Sequence, residues 1–173
     1  MVSTPAHRQQ TQGQAGSLPP LVSNSSTTSA FVERYRSEGG KAHLFTPSSA
    51  DVEQLSQRLG EEQMRGIVIA QVTPSPYKVT TALSKDFNDA FAKSKIELER
   101  SFTMIEGFIA GRVIVEAAQR IGRTPTREGM VAALNTFGPV DIGSYSTGFS
   151  PTSHVGSNYV ELSIVNALGK VKQ

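Results

Sequence analysis

Apolar residues along this chain recur with two periods, and the periods divide it into elements. Phe31, Val32 and Tyr35 have helical spacing, and Gly39-Gly40 supplies a stop. Residues 41–45 read as a short strand. Thr46-Pro-Ser-Ser49 reads as a loop whose hydroxyls cap the next helix, where Val52, Leu55 and Leu59 share a face and Gly60 closes it. Gly66-Ile-Val-Ile-Ala-Gln-Val72 is almost wholly apolar, as a strand covered on both faces would be. Helix, strand, helix, strand is the rhythm of an α/β fold with a parallel sheet.

Thr73-Pro-Ser-Pro76 can neither continue a strand nor open a helix, so it predicts an extended crossing. Leu83, Phe87, Ala90 and Phe91 mark an amphipathic helix. Thr103-Met-Ile-Glu106 has the form of a capping box opening a long helix to about Ile121, apolar on most of its circumference and hence expected to be well buried. Gly122 ends it. Thr124 and Pro125 open another helix running to about Thr136. Two strands, 144–149 and 158–165, are joined by 150–156, and residues 166–169 form a last turn.

Residues 1–27 break the pattern. Arg8 is the only Asp, Glu, Lys or Arg among them, and Gln, Ser, Thr, Gly and Pro dominate. Such a stretch cannot bury enough apolar area to offset its ordering entropy, so disorder is expected. It reads either as a regulatory tail or as a non-native start. It has no positive segment followed by an apolar core, so the chain as written carries no signal peptide and would be cytoplasmic if Met1 is the true start.

Composition narrows the chemistry. The chain has 173 residues and 38% apolar content, enough for one domain with a modest core. Without cysteine there is no disulfide, thiol chemistry or thiolate-bound metal. No apolar run approaches the roughly 20 residues of a membrane-spanning helix. A metal site is not expected, because His7, His43 and His154 have no partner at ligand spacing; no cofactor is implied. No Gly-x-Ser-x-Gly elbow occurs, and Glu61-Glu62 reads as a solvated helix end, so no enzyme is expected. Gly107-Phe-Ile-Ala-Gly111 reads as a close-packing stripe. The net charge of +2 is spread thinly: Lys93, Lys95, Arg100, Arg120, Arg123 and Arg127 alternate with Glu97, Glu99, Glu116 and Glu128, a solvated face and no nucleic-acid surface. The loop Thr46–Ser49 follows a strand of the expected parallel sheet, where ligands bind in open α/β folds. Thr46, Ser48 and Ser49 are therefore candidate ligand contacts; helix capping is the other reading, and the two are compatible.

Three stretches carry a family likeness: Gly66-Ile-Val-Ile-Ala-Gln-Val-Thr-Pro-Ser-Pro76, Glu106-Gly-Phe-Ile-Ala-Gly-Arg112 and Phe149-Ser-Pro-Thr-Ser-His-Val-Gly156. In that order they resemble the C-terminal part of the type I periplasmic binding proteins, the solute-binding components of ABC transporters for branched-chain amino acids and related molecules. The resemblance implies part of that fold: a Rossmann-like parallel sheet with flanking helices and C-terminal strands. On it, 28–72 is the end of the second lobe, 73–76 a hinge crossing, 77–142 helices of the first lobe and 143–173 the closing strands. It further implies a small-molecule ligand, an ABC permease partner and a periplasmic location. The family's ligand is held largely by first-lobe loops upstream of this sequence, so ligand binding by the chain alone is expected to be weak, and self-association is expected from the uncovered apolar faces. A small protein-interaction module that keeps part of the fold is the alternative.

Overall fold

A computed structural model describes residues 20–166 and 171–172. Residues 1–19, 167–170 and 173 lie outside it, and with them most of the expected tail and of the final turn. The elements are α1 (Ser25–Ser37), β1 (Leu44–Pro47), a 3-10 turn (Ser48–Ala50), α2 (Val52–Met64), β2 (Ile67–Gln71), α3 (Ala82–Ser94), α4 (Phe102–Ile121), α5 (Arg127–Asn135), β3 (Val140–Asp141), β4 (Ser146–Thr147), β5 (Glu161–Val165) and β6 (Val171–Lys172).

The main sheet has the order β1-β2-β5-β6. β1 and β2 run parallel, joined through α2; β5 and β6 add antiparallel closing strands. β3 and β4 form a separate two-stranded ladder. Ile67 and Ile69 of β2, Leu44 of β1 and Val165 of β5 bury against Val32 of α1 and Val52, Leu55, Leu59 and Met64 of α2. Among the described residues the opposite sheet face is only partly covered. Val68 stands opposite Ile164 and Ala70 opposite Leu162, and both β5 residues are exposed. β2 is therefore covered on one face, not two as its apolar run suggested; an apolar run records what a strand could bury, not what is present to bury it.

Several boundaries move for local reasons. Residues 20–27, expected to be disordered, are ordered against the sheet and in α1. Pro20 bridges Phe45, and the Leu21 amide donates to the Phe45 carbonyl at 2.6 Å. Asn24 caps α1 by accepting the Thr27 amide at 3.0 Å, so Ser25, Ser26 and Thr27 are helical; polar composition concealed a helix start built from good capping residues. Asp51, not Ser48 or Ser49, caps α2, with its carboxylate accepting the Gln54 amide at 3.1 Å and its φ at 38°. β1 starts at Leu44 and takes in Thr46 and Pro47. Gly60, at φ 70°, breaks α2, yet a further turn follows and buries Met64.

Ser101, not Thr103, caps α4, because the Thr103 hydroxyl donates to Asp51 instead. Thr126, not Thr124, caps α5. Of the two strands expected at 144–149 and 158–165, only Ser146–Thr147 and Glu161–Val165 pair, and β3 was not foreseen. α4 buries Ile105, Ile109, Val113 and Ala117 against α3, α5, the closing segment and Phe137, and Phe102 at its start against the core of the sheet, α1 and α2. Its other side is open: Ile114 and Val115 are each 56% exposed. The expectation of burial around most of α4 is thus corrected, and Phe108 is half-buried.

Replacing Ile105, which is fully buried, with Ala should cost about 3 kcal/mol in urea denaturation, whereas Ile114→Ala should stay within about 0.5 kcal/mol. Equal losses at the two positions would mean that α4 is packed on both sides.

Candidate functional site

Because β1 and β2 are parallel neighbours, their carboxyl ends emerge on one edge of the sheet. The Ser48–Ala50 turn leaves β1 there and packs against both strands. Residues 72–76 leave β2 beside it, with Thr73 and Ser75 buried. Thr46 is buried in β1, and its hydroxyl donates to the Leu21 carbonyl at 3.0 Å. Ser48 is half-buried and Ser49 is exposed, both in the 3-10 turn. Of the three candidate contacts, the two serines therefore lie at the edge, while Thr46 holds the chain before α1.

Sequence reasoning missed a set of buried polar groups close by. Gln71 ends β2 on the helix-covered face and is 1% exposed, with neither amide atom bonded. Thr28 Oγ1 on α1, Ser163 Oγ opposite Ile69 on β5 and Thr73 Oγ1 are likewise buried without partners. Each such group costs roughly 1–3 kcal/mol. Gln71, the polar residue inside an apolar run, was the available signal.

A second cluster ties the sheet to the helices beyond the crossing. Glu53, in the first turn of α2, accepts from the Tyr77 hydroxyl and, at 3.4 Å, from the Phe102 amide at the start of α4. Asp51 accepts the Thr103 hydroxyl at 2.8 Å. Asn88 of α3 donates to the Pro76 carbonyl at 3.2 Å and accepts from Arg100. Burial pushes the Glu53 carboxyl above the ordinary 4.5, against the Tyr77 hydrogen bond that favours the charged form. Burial also raises the Tyr77 phenol, reinforced by Glu53. Glu53 Oε2 is buried with no partner.

Two cavities flank the closing segment. A groove of about 630 Å³ lies between α4, α5 and 145–157, lined by the apolar Ile109, Val113 and Leu134 and by the polar Thr73, Glu106, Asn135, Thr147 and His154. A second, of about 550 Å³, is lined by residues within 138–159. Neither is lined by Thr46, Ser48 or Ser49. Tyr145 supports the wall between them, donating to the Val72 carbonyl at 3.1 Å. Among the described residues no three His, Cys, Asp or Glu side chains are grouped to hold a metal, and no helix is long and apolar enough to cross a membrane.

The family described as periplasmic binding protein matches residues 19–169. This chain belongs to the periplasmic binding protein family. A substrate-binding periplasmic protein from Ralstonia solanacearum is 34% identical and superposes with a TM-score of 0.79, covering 88% of this chain and 44% of that one. A possible leucine/isoleucine/valine-binding protein from Rhodopirellula baltica is 25% identical, with a TM-score of 0.79, covering 89% and 42%. A fatty acid ABC transporter substrate-binding protein from Thermomonospora curvata, 18% identical with a TM-score of 0.71, covers 89% and 41% and shares the fold. No curated protein matches the chain. The chain thus spans less than half the length of these solved relatives, and it folds as the corresponding part of the type I periplasmic binding protein fold.

In this periplasmic binding protein chain the Glu53 cluster carries a pH signature. A carboxyl with a raised folded pKa binds its proton more tightly when folded, so its contribution is present below 4.5 and is lost as pH rises through the raised value. Glu53→Gln keeps an acceptor for Tyr77 and removes the titration. The Tm difference between Glu53→Gln and the parent should therefore move in favour of the variant as pH rises from about 4.5 toward 7. A difference flat across that range would mean that the carboxyl is not desolvated.

Proposed function

We propose that this chain contributes one part of a solute-binding component of an ABC transporter, taking branched-chain amino acids or related small polar molecules. The observation that carries this is the family match over 19–169, together with 34% identity to a substrate-binding periplasmic protein. The edge at the carboxyl ends of β1 and β2, with Ser48 and Ser49 in its 3-10 turn, is the side this part presents to the ligand. An acidic group there would meet an ammonium; the two serines supply hydroxyls only, so they suit a carboxylate or neutral polar group. Residues 73–76 act as the hinge crossing, stiffened by two prolines and held by Asn88 and Tyr77. The permease is the macromolecular partner and the periplasm the working compartment, both carried over from the family.

One side of a cleft binds weakly. The isolated chain should show no heat of binding for leucine, isoleucine or valine in the micromolar range by calorimetry. A micromolar or tighter dissociation constant for any of them would mean that the chain holds a complete site.

A second reading is a protein-interaction module that uses the bare apolar surface, self-association included. It is favoured by the exposure of Leu162 and Ile164 on the sheet and of Ile114 and Val131 beside the groove. Light scattering after size exclusion should show a defined complex or dimer on this reading. A monomer with a cooperative melt counts against it.

A further inference from the structure

Three separate elements meet on one carboxyl. Glu53 stands in the first turn of α2, two residues after Asp51, whose side chain caps that helix. From the crossing, the Tyr77 hydroxyl donates to Glu53 Oε1. From α4, the Phe102 amide donates to the same oxygen at 3.4 Å. That amide lies in the first turn of α4 and has no acceptor within its own helix, so the carboxyl serves as one. The two donors belong to residues that also touch each other, since the Tyr77 ring meets the Phe102 ring edge-on at 5.8 Å. Phe102 is 2% exposed, whereas Tyr77 is 45% exposed. The cluster therefore lies where buried core gives way to water, and a small opening would wet it.

Its charge balance is uneven. Both donors converge on Oε1 and favour the ionised form. Oε2 is buried with no partner, so charge on that oxygen meets no donor. The groups around Glu53 supply no cation either. Asp51 beside it on α2 is acidic, and Tyr77 is a neutral phenol. In the segment before α4, Glu99 adds a negative charge felt by Tyr77, and Arg100 is engaged with Asn88. Among the described residues Glu53 takes part in no ion pair. Burial outweighs the Tyr77 hydrogen bond and, with Asp51, holds the carboxyl above 4.5.

We propose that Glu53 is a proton-controlled tie: protonated, it holds the crossing at Tyr77 and the start of α4 on α2, and its ionisation lets them part. The sign follows from linkage. The closed tie binds the proton more tightly than a carboxyl in water does, so the proton stabilises the closed form. As pH rises through the raised value, the ionised group gains by opening to solvent. Asp51 takes the Thr103 hydroxyl beside the tie, so an opening also disturbs the cap of α2, directly after the turn that carries Ser48 and Ser49. The inference stands whether or not that turn meets a ligand.

The test uses the whole 173-residue chain. A carbon-13 titration of the Glu53 carboxyl gives its midpoint. Amide exchange over the same pH range, corrected for intrinsic rates, gives the protection of residues 102–104 relative to 109–113 in the same helix. That relative protection should fall by more than about threefold as pH rises from about 4 to about 8, with the same midpoint as the carboxyl. Glu53→Gln, isosteric with the protonated acid, should keep the protection high and flat. Tyr77→Phe keeps the ring and removes the hydrogen bond that favours charge, so both midpoints should move together to higher pH. Protection that is flat with pH in the parent, that changes equally in Glu53→Gln, or whose midpoint departs from that of the carboxyl would each overturn the proposal. An unmoved midpoint in Tyr77→Phe would do the same.

Discussion

Burial of one face of β2 against α1 and α2 is the contact on which the remaining elements depend. Ile67 and Ile69 are at most 1% exposed, and they sit under Val32, Leu55, Leu59 and Met64. Burying aliphatic side chains of this size is worth about 1.5–3 kcal/mol each. That burial holds β2 parallel to β1 and brings the two carboxyl ends to a single edge. It also gives β5 a strand to pair with, and β5 in turn carries β6. Arg36 locks the far end of the layer, donating to the carbonyls of Gly40, Ala42 and Arg65.

The link from this layer to the three later helices combines a few hydrogen bonds with one buried ring, Phe102 of α4, which packs in the core of the sheet, α1 and α2. Asp51 and Glu53 reach Thr103, Phe102 and Tyr77, and Tyr77 meets the Phe102 ring edge-on at 5.8 Å. The ion pairs contribute less: Arg58–Glu33, Lys85–Asp89 and Arg112–Asp86 are exposed at both partners, where such pairs are worth about 0.2–1 kcal/mol. The helical body is held by its own contacts. Arg120 lies over the Phe137 ring at 4.4 Å and donates to its carbonyl at 2.8 Å, and Phe87 meets Phe108 edge-on.

The exposed sheet face and the groove belong to different elements. The chain spans under half of the length of its solved relatives while keeping their backbone course.

Much was legible in the sequence because it depends on neighbours along the chain. Helical spacing at Leu83, Phe87 and Phe91, the apolar run at 66–72, the stop at Gly122 and the extended crossing at 73–76 are local consequences of side-chain shape and backbone freedom. The family pattern was legible for the same reason, as words in a fixed order. The caps were not. Thr103 has a capping residue's chemistry, but Asp51, 52 residues away, takes its hydroxyl, and Ser101 caps α4 instead. Which face of β2 and of α4 is covered was equally hidden, since an apolar residue reads the same whether or not a partner lies over it. The order of β5 beside β2, the orphaned amide of Gln71 and the meeting of Glu53 with Tyr77 and Phe102 join residues far apart in the chain. Sequence alone thus determined the elements and the family; only the tertiary structure decided which faces are paired, because pairing is set by the geometry of distant segments and not by local propensity.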